Sequence, residues 1–488
     1  MQKASKLIPL FGGPILFLLV KFILIPEDLS TAGVSVLACT LWIAIWWIFE
    51  VVDISVTALL PIVLFPLTGA LEISKVTASY GHKFIFLYMG GFILAIAIEK
   101  WNLHKRIALT IIKLIGSGIH RIILGFMIAT AFMSMWISNT ATTVMMLPIG
   151  LAIISQIKDH PDTPEDENEM VGKALMLSIA YAASIGGMAT LFGTPPNLVF
   201  AGVVNELYDI EITFSQWLMF GLPISIILLF ITWYYLTRIV FKFKIKQFPG
   251  GKKEIQRLYT SLGKFSYEEK TVFIVFLLTA IGLITRQWLK IYIPFIDDTI
   301  IAMTAGLALF LLPSKDSNKR IISWSEAVKM PWGVLILFGG GMAIATGFEQ
   351  SGLAIWIGEQ FTSLQGLPLL LLLLIIITSV NFLTEMTSNM ATTAMLLPIL
   401  APMALSIGVH PYILLVAATV AASCAFMLPV ATPPNAIVFG SGYLKIKDMI
   451  RTGFALNILS IIILTFIIYL FLEKLWGFDA FTITEAFK

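Results

Sequence analysis

Long apolar segments separated by short polar ones run along the whole chain. Eleven of them approach or exceed the roughly 17–25 residues that a helix needs to cross the hydrocarbon core of a bilayer. They are Leu7–Ile25, Val34–Val51, Ile54–Leu71, Phe84–Glu99, Ala174–Gly202, Trp217–Phe241, Thr271–Leu289, Thr299–Pro313, Trp332–Glu349, Pro411–Gly440 and Gly453–Leu472. The pattern predicts an all-α polytopic membrane protein with about 11 transmembrane helices.

Two further apolar stretches, Arg121–Ile154 and Leu369–Ala404, are too long for one crossing and carry Ser, Thr and Asn near their middle. We interpret each as a re-entrant hairpin that enters and leaves on the same side. The segment Arg238–Lys270 contains nine Lys and Arg residues, and the positive-inside rule places such a segment in the cytoplasm. Counting crossings from it predicts a multi-pass protein of the plasma (inner) membrane, with a cytoplasmic N-terminus and an external C-terminus.

The two halves of the chain share two motifs in the same order. The string Ser-Asn-Thr-Ala-Thr-Thr from Ser138 aligns without gaps with Ser-Asn-Met-Ala-Thr-Thr, which starts 250 positions later at Ser388. Residues 193–197 read Gly-Thr-Pro-Pro-Asn, and residues 431–435 read Ala-Thr-Pro-Pro-Asn. The crossing count makes the two hairpins open from opposite sides. Duplication with opposite orientation is typical of inverted-repeat transporters.

This organisation divides the chain into six predicted units. They are N-terminal scaffold helices (1–83), a first repeat with hairpin and broken helix (84–237), a basic cytoplasmic segment (238–270), second scaffold helices (271–330), a second repeat with hairpin and broken helix (331–472) and a C-terminal tail (473–488).

The duplicated motifs suggest an ion-binding chemistry without charged side chains. A helix that starts at a hairpin tip presents free backbone N–H groups to an anion, and Ser, Thr and Asn add hydroxyl and amide groups. Two consecutive prolines break a helix and release carbonyl oxygens that can hold a cation. Because neither motif contains Lys or Arg, a bound dianion would need cations for neutralisation. Isolated Ser and Asn in membrane helices usually bond to neighbouring helices; their duplication in register favours a site.

Composition agrees with a membrane protein and excludes several classes. The 488 residues are 58% hydrophobic and 12% charged, whereas soluble domains carry about 25% charged residues. The net charge of +3 and the absence of a basic, aromatic-interleaved stretch argue against nucleic-acid binding. Without a paired nucleophile and base in the hairpins, an enzyme is not expected. Glu385, an acid inside the second hairpin, is a candidate for either function or structural pairing.

At its paired motifs the chain resembles the divalent anion–sodium symporter family, which includes dicarboxylate and citrate transporters. The resemblance implies a homodimer in the bilayer, in which a transport domain slides against a scaffold in an elevator-type mechanism. It also implies symport of a small dicarboxylate or tricarboxylate (the succinate, malate, 2-oxoglutarate and citrate class) with Na⁺ as the co-transported ion. Two alternatives remain open: sodium-independent exchange of dicarboxylates, and transport of inorganic dianions such as sulfate.

The resemblance also implies the residues of the site. Cations would be held by Ser134, Ser138, Asn139 and Gly193 in one repeat, and by Thr384, Ser388, Asn389 and Ala431 in the other. Substrate would be held by Asn139, Thr140, Thr194, Pro195, Ser388, Asn389, Met390, Thr432 and Pro433. Met390 departs from the family pattern, which usually has Thr there. This replaces a hydroxyl with a bulky thioether and favours a different or longer dicarboxylate.

Overall fold

The structure is a computed structural model that describes residues 2–26, 28–116, 118–158, 165–243, 251–315 and 319–487. The basic segment predicted at 238–270 lies partly outside the described residues, since these do not include 244–250.

The described residues up to Ser261 form thirteen α-helices. They are α1 (Gln2–Phe22), α2 (Thr31–Ile48), α3 (Ile54–Thr57), α4 (Leu60–Leu67), α5 (Ile73–Ser79), α6 (Lys83–Lys100), α7 (Leu103–Ile115), α8 (Ile119–Ser134), α9 (Asn139–Lys158), α10 (Glu165–Gly187), α11 (Pro195–Tyr208), α12 (Phe214–Tyr234, extended by a π-helical turn, Tyr235–Val240) and α13 (Gly251–Ser261).

The described residues after Ser261 form twelve more α-helices. They are α14 (Tyr267–Ile284), α15 (Arg286–Tyr292), α16 (Asp298–Leu311), α17 (Trp324–Ala327), α18 (Trp332–Gln350), α19 (Leu353–Gln360), α20 (Leu369–Thr384), α21 (Asn389–Ser406), α22 (Pro411–Ala422), α23 (Pro433–Phe439), α24 (Ile446–Ile467, extended by a π-helical turn, Ile468–Leu472) and α25 (Glu473–Trp476).

Within the described residues, seven helices are long and apolar enough to cross a membrane, or eight if one bent pair is counted as a single span. Most other predicted spans are present as shorter apolar helices or as pairs of helices. The all-helical membrane architecture therefore agrees with the sequence pattern, whereas several predicted spans are not continuous.

The predicted span Thr271–Leu289 is the clearest correction. Its helix α14 ends at Ile284, and α15 continues at an angle of 81°. The first residue of α15 is Arg286, which is 4% exposed and pairs with the carboxylates of Glu211 and Asp298. Hydropathy alone could not predict this bend, because the partners of Arg286 are distant in sequence.

The helices pack as two groups. One group contains the two helix pairs α8–α9 and α20–α21 and the helices that follow them; α10 packs against α8 and α23, while α11 packs against α21 and α22. In the other group α1 packs on α2, α6 on α16, and α16 on α14. Helix α18 contacts both groups, since it packs on α11 and α21 as well as on α2 to α6. The helices of the two repeats therefore interlock with each other.

Candidate substrate and cation site

Each repeat contains a break between two of its consecutive helices. Residues 188–194 separate α10 from α11, and residues 423–432 separate α22 from α23. The sequence pattern predicted breaks at 193–197 and 431–435, so the observed breaks begin earlier and end at the Pro-Pro pairs. The prolines stand in the first turn of the new helix, where an N–H would have no helical partner and its absence costs little.

The threonine before each Pro-Pro pair has the geometry that proline imposes. Thr194 and Thr432 are extended, with ψ of 140° and 150°, because the α conformation would clash with the proline ring that follows. The Thr432 side chain also accepts a hydrogen bond from the backbone N–H of Asn435. Each Thr-Pro-Pro segment thus converts an irregular stretch into a helix start at a fixed point.

The asparagine of each motif holds the break together. Asn197 Nδ2 donates to the carbonyl oxygens of Thr190 (2.7 Å) and Gly187 (3.2 Å), and Asn435 Nδ2 donates to the Leu428 oxygen (3.0 Å). Both asparagines are completely buried. This structural role was not predicted, although the repetition of Asn after both Pro-Pro pairs was visible in the sequence.

A four-residue connection joins the two helices of each pair, and the Ser-Asn motif lies at its end. In the first repeat the Ser134 hydroxyl lies 2.7 Å from the Ala183 carbonyl oxygen and 2.6 Å from the carboxamide of Asn139. In the second, the Thr384 hydroxyl lies 3.0 Å from the Ala422 carbonyl oxygen and 2.7 Å from Asn389 Oδ1. The two tips therefore have the same arrangement, as expected for a duplicated unit.

Oxygen atoms crowd around the Asn139 carboxamide. One end of it faces the Ala183 oxygen at 3.1 Å, the Gly193 oxygen at 3.2 Å and Ser134 Oγ at 2.6 Å, so the amide nitrogen is satisfied there and the amide oxygen is not. The Ser134 hydroxyl donates to the Ala183 oxygen, and a further donor or a cation would satisfy the remaining oxygen lone pairs. The amide N–H₂ is that donor in one orientation; after rotation, a cation could be held by the same oxygens and Asn139 Oδ1.

The donor set at both tips consists of neutral oxygens. Among the residues that the structure describes, no group of three or more His, Cys, Asp or Glu side chains could hold a metal ion. Hydroxyl, amide and backbone oxygens suit hard cations rather than soft transition metals. The geometry therefore fits a weakly held alkali cation.

Gly193 permits the close packing of the first tip. A Cβ atom at this position would lie 2.7 Å from Gly187 Cα and 2.8 Å from the Ser134 carbonyl oxygen, distances that a real Cβ does not reach. The second repeat has Ala431 at the corresponding position. The first tip therefore lies too close to its break for a side chain at position 193, whereas the second repeat accommodates the methyl group of Ala431.

Both tips and both Thr-Pro-Pro segments border one cavity of about 950 Å³. It brings together all of the predicted substrate residues: Asn139, Thr140, Thr194, Pro195, Ser388, Asn389, Met390, Thr432 and Pro433. Ser138, Gly193 and Ala431, predicted as cation ligands, also border it. Ser134 and Thr384 do not; they are buried behind Asn139 and Asn389.

Helix N-termini border this cavity together with four charged side chains, those of Glu50, Asp53, Glu99 and Lys329. Helices α9, α11 and α21 all begin with residues that border it, and the N-terminus of a helix carries a partial positive charge that favours anions. Lys329 is the one basic side chain among the described residues of its wall. The cavity can therefore bind an anion mainly through backbone dipoles.

Sequence reasoning missed part of the wall. Tyr88 and Phe92 from α6, Glu99 at its far end, and Lys329 before α18 all border the cavity. These residues lie outside the duplicated Ser-Asn and Thr-Pro-Pro-Asn motifs. The one available signal was Glu99, which has its counterpart 250 positions later in Glu349.

Comparison with known proteins identifies the family. Residues 4–477 match the family described as the sodium:sulfate symporter transmembrane region. The chain belongs to this family. Among its relatives, the sodium-dependent dicarboxylate transporter SdcS of Staphylococcus saprophyticus is 48% identical over 97% of this chain and 93% of its own length. SdcS of Staphylococcus aureus strain USA300 is also 48% identical, over 98% of this chain and 93% of its own length.

Two solved structures share the fold. MtrF of Neisseria gonorrhoeae, described as one of a class of antimetabolite efflux pumps, superposes with a TM-score of 0.55 over 83% of this chain and 84% of its own. The YdaH transporter of Alcanivorax borkumensis gives a TM-score of 0.54 over 83% and 88%. Both are 13% identical to this chain, so the likeness concerns the fold alone.

Proposed function

We propose that this chain is a secondary active transporter that carries a small dicarboxylate into the cell together with Na⁺. Membership of the sodium:sulfate symporter family and the 48% identity to transporters named for sodium-dependent dicarboxylate transport support this substrate and this ion. The observation that carries the proposal is the pair of matching oxygen clusters, around Asn139 and Asn389, on one cavity.

The chemistry of the cavity suits a dianion that arrives with cations. One cation would be held by Ser134, Ser138, Asn139 and Gly193, and the other by Thr384, Ser388, Asn389 and Ala431. Both would lie beside the helix N-termini that face the carboxylates. The cations supply the positive charge that the tips lack, so that a dianion in a low-dielectric site is neutralised only when they are bound. Substrate affinity then depends on Na⁺.

The carboxylates themselves would be held from both repeats. Asn139, Thr140, Thr194 and Pro195 would contact one end of the substrate, and Ser388, Asn389, Met390, Thr432 and Pro433 the other. Amide and hydroxyl donors orient each carboxylate without adding a fixed charge. A site of this kind releases its substrate once the cations leave, which a site built on Arg would do less readily.

The architecture supports an elevator-type movement with the site facing the cytoplasm in this structure. In the predicted topology, the residues Glu50, Asp53 and Lys329 at the cavity wall belong to cytoplasmic helix ends. The group containing α8–α12 and α20–α24 would move as the transport domain, with each tip entering as a re-entrant hairpin, against a scaffold of α1–α6 and α14–α18. We further propose a homodimer in the plasma membrane, with the N-terminus in the cytoplasm and the C-terminus outside.

Uptake into proteoliposomes tests the proposal. Labelled succinate, malate, 2-oxoglutarate, citrate and sulfate would be offered with and without an inward Na⁺ gradient, and with and without preloaded anion. We expect Na⁺-driven uptake of dicarboxylate, and loss of that uptake in Asn139→Ala and Asn389→Ala. Uptake driven by preloaded dicarboxylate without Na⁺ would indicate an exchanger, uptake of sulfate alone would indicate an inorganic dianion carrier, and full activity in both variants would refute the assigned site.

A further inference from the structure

Glu385 is buried at the second tip and is surrounded by hydrogen-bond donors. Its Oε1 accepts from the backbone N–H groups of Phe426 and Met427, both at 2.8 Å, and from Asn457 Nδ2 at 2.7 Å. Its Oε2 accepts from the backbone N–H of Leu428 at 2.9 Å. The residue is 1% exposed. A completely buried side chain thus uses both oxygens to hold three consecutive amides of the break 423–432.

The hydrogen-bond partners of Glu385 in the described structure suit an ionised carboxylate. All four of these partners are N–H donors, and a protonated carboxyl group would place its own hydrogen among donors. None of the ion pairs among the described residues includes Glu385. A buried carboxylate that is satisfied by amides alone still carries an uncompensated negative charge. Among the described residues, the negative charge of Glu385 therefore has no paired cationic side chain.

The two chain segments that Glu385 joins both lead to the proposed second cation site. Glu385 follows Thr384, whose hydroxyl contacts Asn389 Oδ1. On the opposite side, Leu428, which Glu385 holds by its N–H, accepts through its own carbonyl from the Ala431 N–H at 3.2 Å. Glu385 therefore connects the two chain segments that would provide the ligands of that cation.

The first repeat has no such acid. The position 250 residues before Glu385 is Met135, and the first break is tied to its tip by Thr190 instead. The Thr190 hydroxyl donates to the Met135 carbonyl oxygen and accepts from the Gly193 N–H at 3.1 Å. The contact between tip and break is thus made by a neutral hydroxyl in the first repeat and by a carboxylate in the second.

We infer that Glu385 is a positioning residue that sets the strength of the second cation site, through both the backbone it holds and the negative charge it places beside the cation. This inference rests on the proposed Na⁺ coupling and deepens it, because it makes the two cation sites unequal. The site next to Glu385 binds Na⁺ more tightly than the one next to Met135. A dianion then enters a site that already holds one cation.

Glu385→Gln and Glu385→Asp separate the charge from the shape. Gln keeps the size of the side chain and one acceptor oxygen but removes the charge, whereas Asp keeps the charge on a shorter stem. We expect Glu385→Gln to raise the Na⁺ concentration for half-maximal uptake at least about tenfold, because in a low-dielectric site the loss of one negative charge weakens the attraction for the cation. Glu385→Asp should raise it much less.

The dependence on Na⁺ distinguishes this role from a merely structural one. For Glu385→Gln we expect the KM for succinate to rise at low Na⁺ and to return towards the wild-type value at saturating Na⁺. Asn457→Ala removes one donor and keeps the charge, and it should leave the Na⁺ dependence within about twofold, as expected for one modest hydrogen bond. Size-exclusion profiles and thermal stability of each variant in detergent would show that it is folded.

Five outcomes are possible, and each supports or overturns a stated claim. A Na⁺ requirement that rises in Glu385→Gln and is largely kept in Glu385→Asp supports the inference. A lower maximal rate at every Na⁺ concentration, with an unchanged Na⁺ requirement, overturns it, as does an equal shift in both variants. If Glu385→Gln does not fold, the rise in Tm that Na⁺ causes is measured in Glu385→Asp and Asn457→Ala instead. We expect Na⁺ to raise the Tm of both variants, and a Glu385→Asp protein whose Tm does not respond to Na⁺ overturns the inference. Uptake by the wild-type protein that does not depend on Na⁺ would instead refute the proposed function.

Discussion

A methyl group at position 193 would prevent the first tip from packing against its break as closely as it does. We expect Gly193→Ala to lower Na⁺-dependent uptake at least about tenfold, since about 1.4 kcal/mol of distortion at the site suffices for that factor. The added Cβ would collide with Gly187 Cα and the Ser134 carbonyl oxygen. Initial uptake rates in proteoliposomes, measured over a range of Na⁺ concentrations, would give the size of the loss.

Two matched substitutions control for the effect of the methyl group itself. Ala431→Gly changes the corresponding residue of the second repeat in the opposite sense, and Gly12→Ala adds a methyl group to α1, where nothing lies within 4 Å of the new atom. Both should retain most of the uptake. A Gly193→Ala protein as active as Gly12→Ala would show that the close approach at the first tip is not needed for transport.

At the scale of elements, a buried asparagine amide contributes to each of the breaks between α10 and α11 and between α22 and α23. We expect Asn197→Ala to lower the apparent Tm in detergent by several degrees, whether or not Na⁺ is present. The substitution leaves the Thr190 carbonyl oxygen without its donor, and a buried acceptor without a partner costs about 1–3 kcal/mol. Thermal unfolding followed by tryptophan fluorescence would measure the change.

Asn139→Ala is the matched comparison for this prediction, since it removes the same amide from the tip instead of the break. It should abolish the gain in Tm that Na⁺ gives while changing the Tm without Na⁺ much less. If Asn197→Ala unfolds at the wild-type temperature, the asparagine does not hold the break.

The elements that carry the site could be predicted from sequence because their signals are local and duplicated. Ser-Asn at an interrupted apolar stretch and Thr-Pro-Pro-Asn in a second one fix where helices start, and those starts border the cavity. The contribution of Lys329 and the bend before Arg286 could not be predicted. Both depend on contacts between residues far apart in the chain, which hydropathy along one segment does not record.

Glu385, in the connection between α20 and α21, shows the same limit of prediction from sequence. Its presence in an apolar stretch marked Glu385 as unusual, and the sequence left open whether it pairs structurally or acts in function. The backbone amides that surround it come from a segment about forty residues later, 426–428. Backbone donors have no sequence signature, so the cage around the carboxylate became visible only in three dimensions.

On the scale of the whole molecule, an ionic network joins the proposed moving and fixed groups at the ends that the predicted topology places outside the cell. Glu211, in the loop between α11 and α12, pairs with Arg286 of α15 at 2.8 Å and with Lys83 of α6 at 3.7 Å. Asp298 of α16 accepts from the backbone N–H of Phe214 at 2.7 Å. The proposed elevator movement towards the outside would have to break these contacts, so we expect them to stabilise a state in which the cavity faces the cytoplasm.

Removing the Glu211 charge should therefore shift the molecule towards the outward-facing state. We expect Glu211→Gln to change the ratio of inward-facing to outward-facing molecules by about fivefold, the effect of roughly 1 kcal/mol from a partly buried ion pair. Val430, which borders the cavity and is 82% exposed, offers a position for Val430→Cys. The ratio of its labelling rates from the cytoplasmic and the external side reports the ratio of the two states, and the native Cys39 and Cys424 are buried.

A matched substitution in the same loop separates this ion pair from a general effect of charge. Asp209 is exposed and has a φ of 53°, a conformation that Asn also tolerates, so Asp209→Asn removes a negative charge without straining the backbone. The labelling ratio in Asp209→Asn should equal that of the parent Val430→Cys protein. Equal ratios in Glu211→Gln and Asp209→Asn would mean that the network does not bias the movement, because an interaction that is the same in both states cannot shift the equilibrium between them.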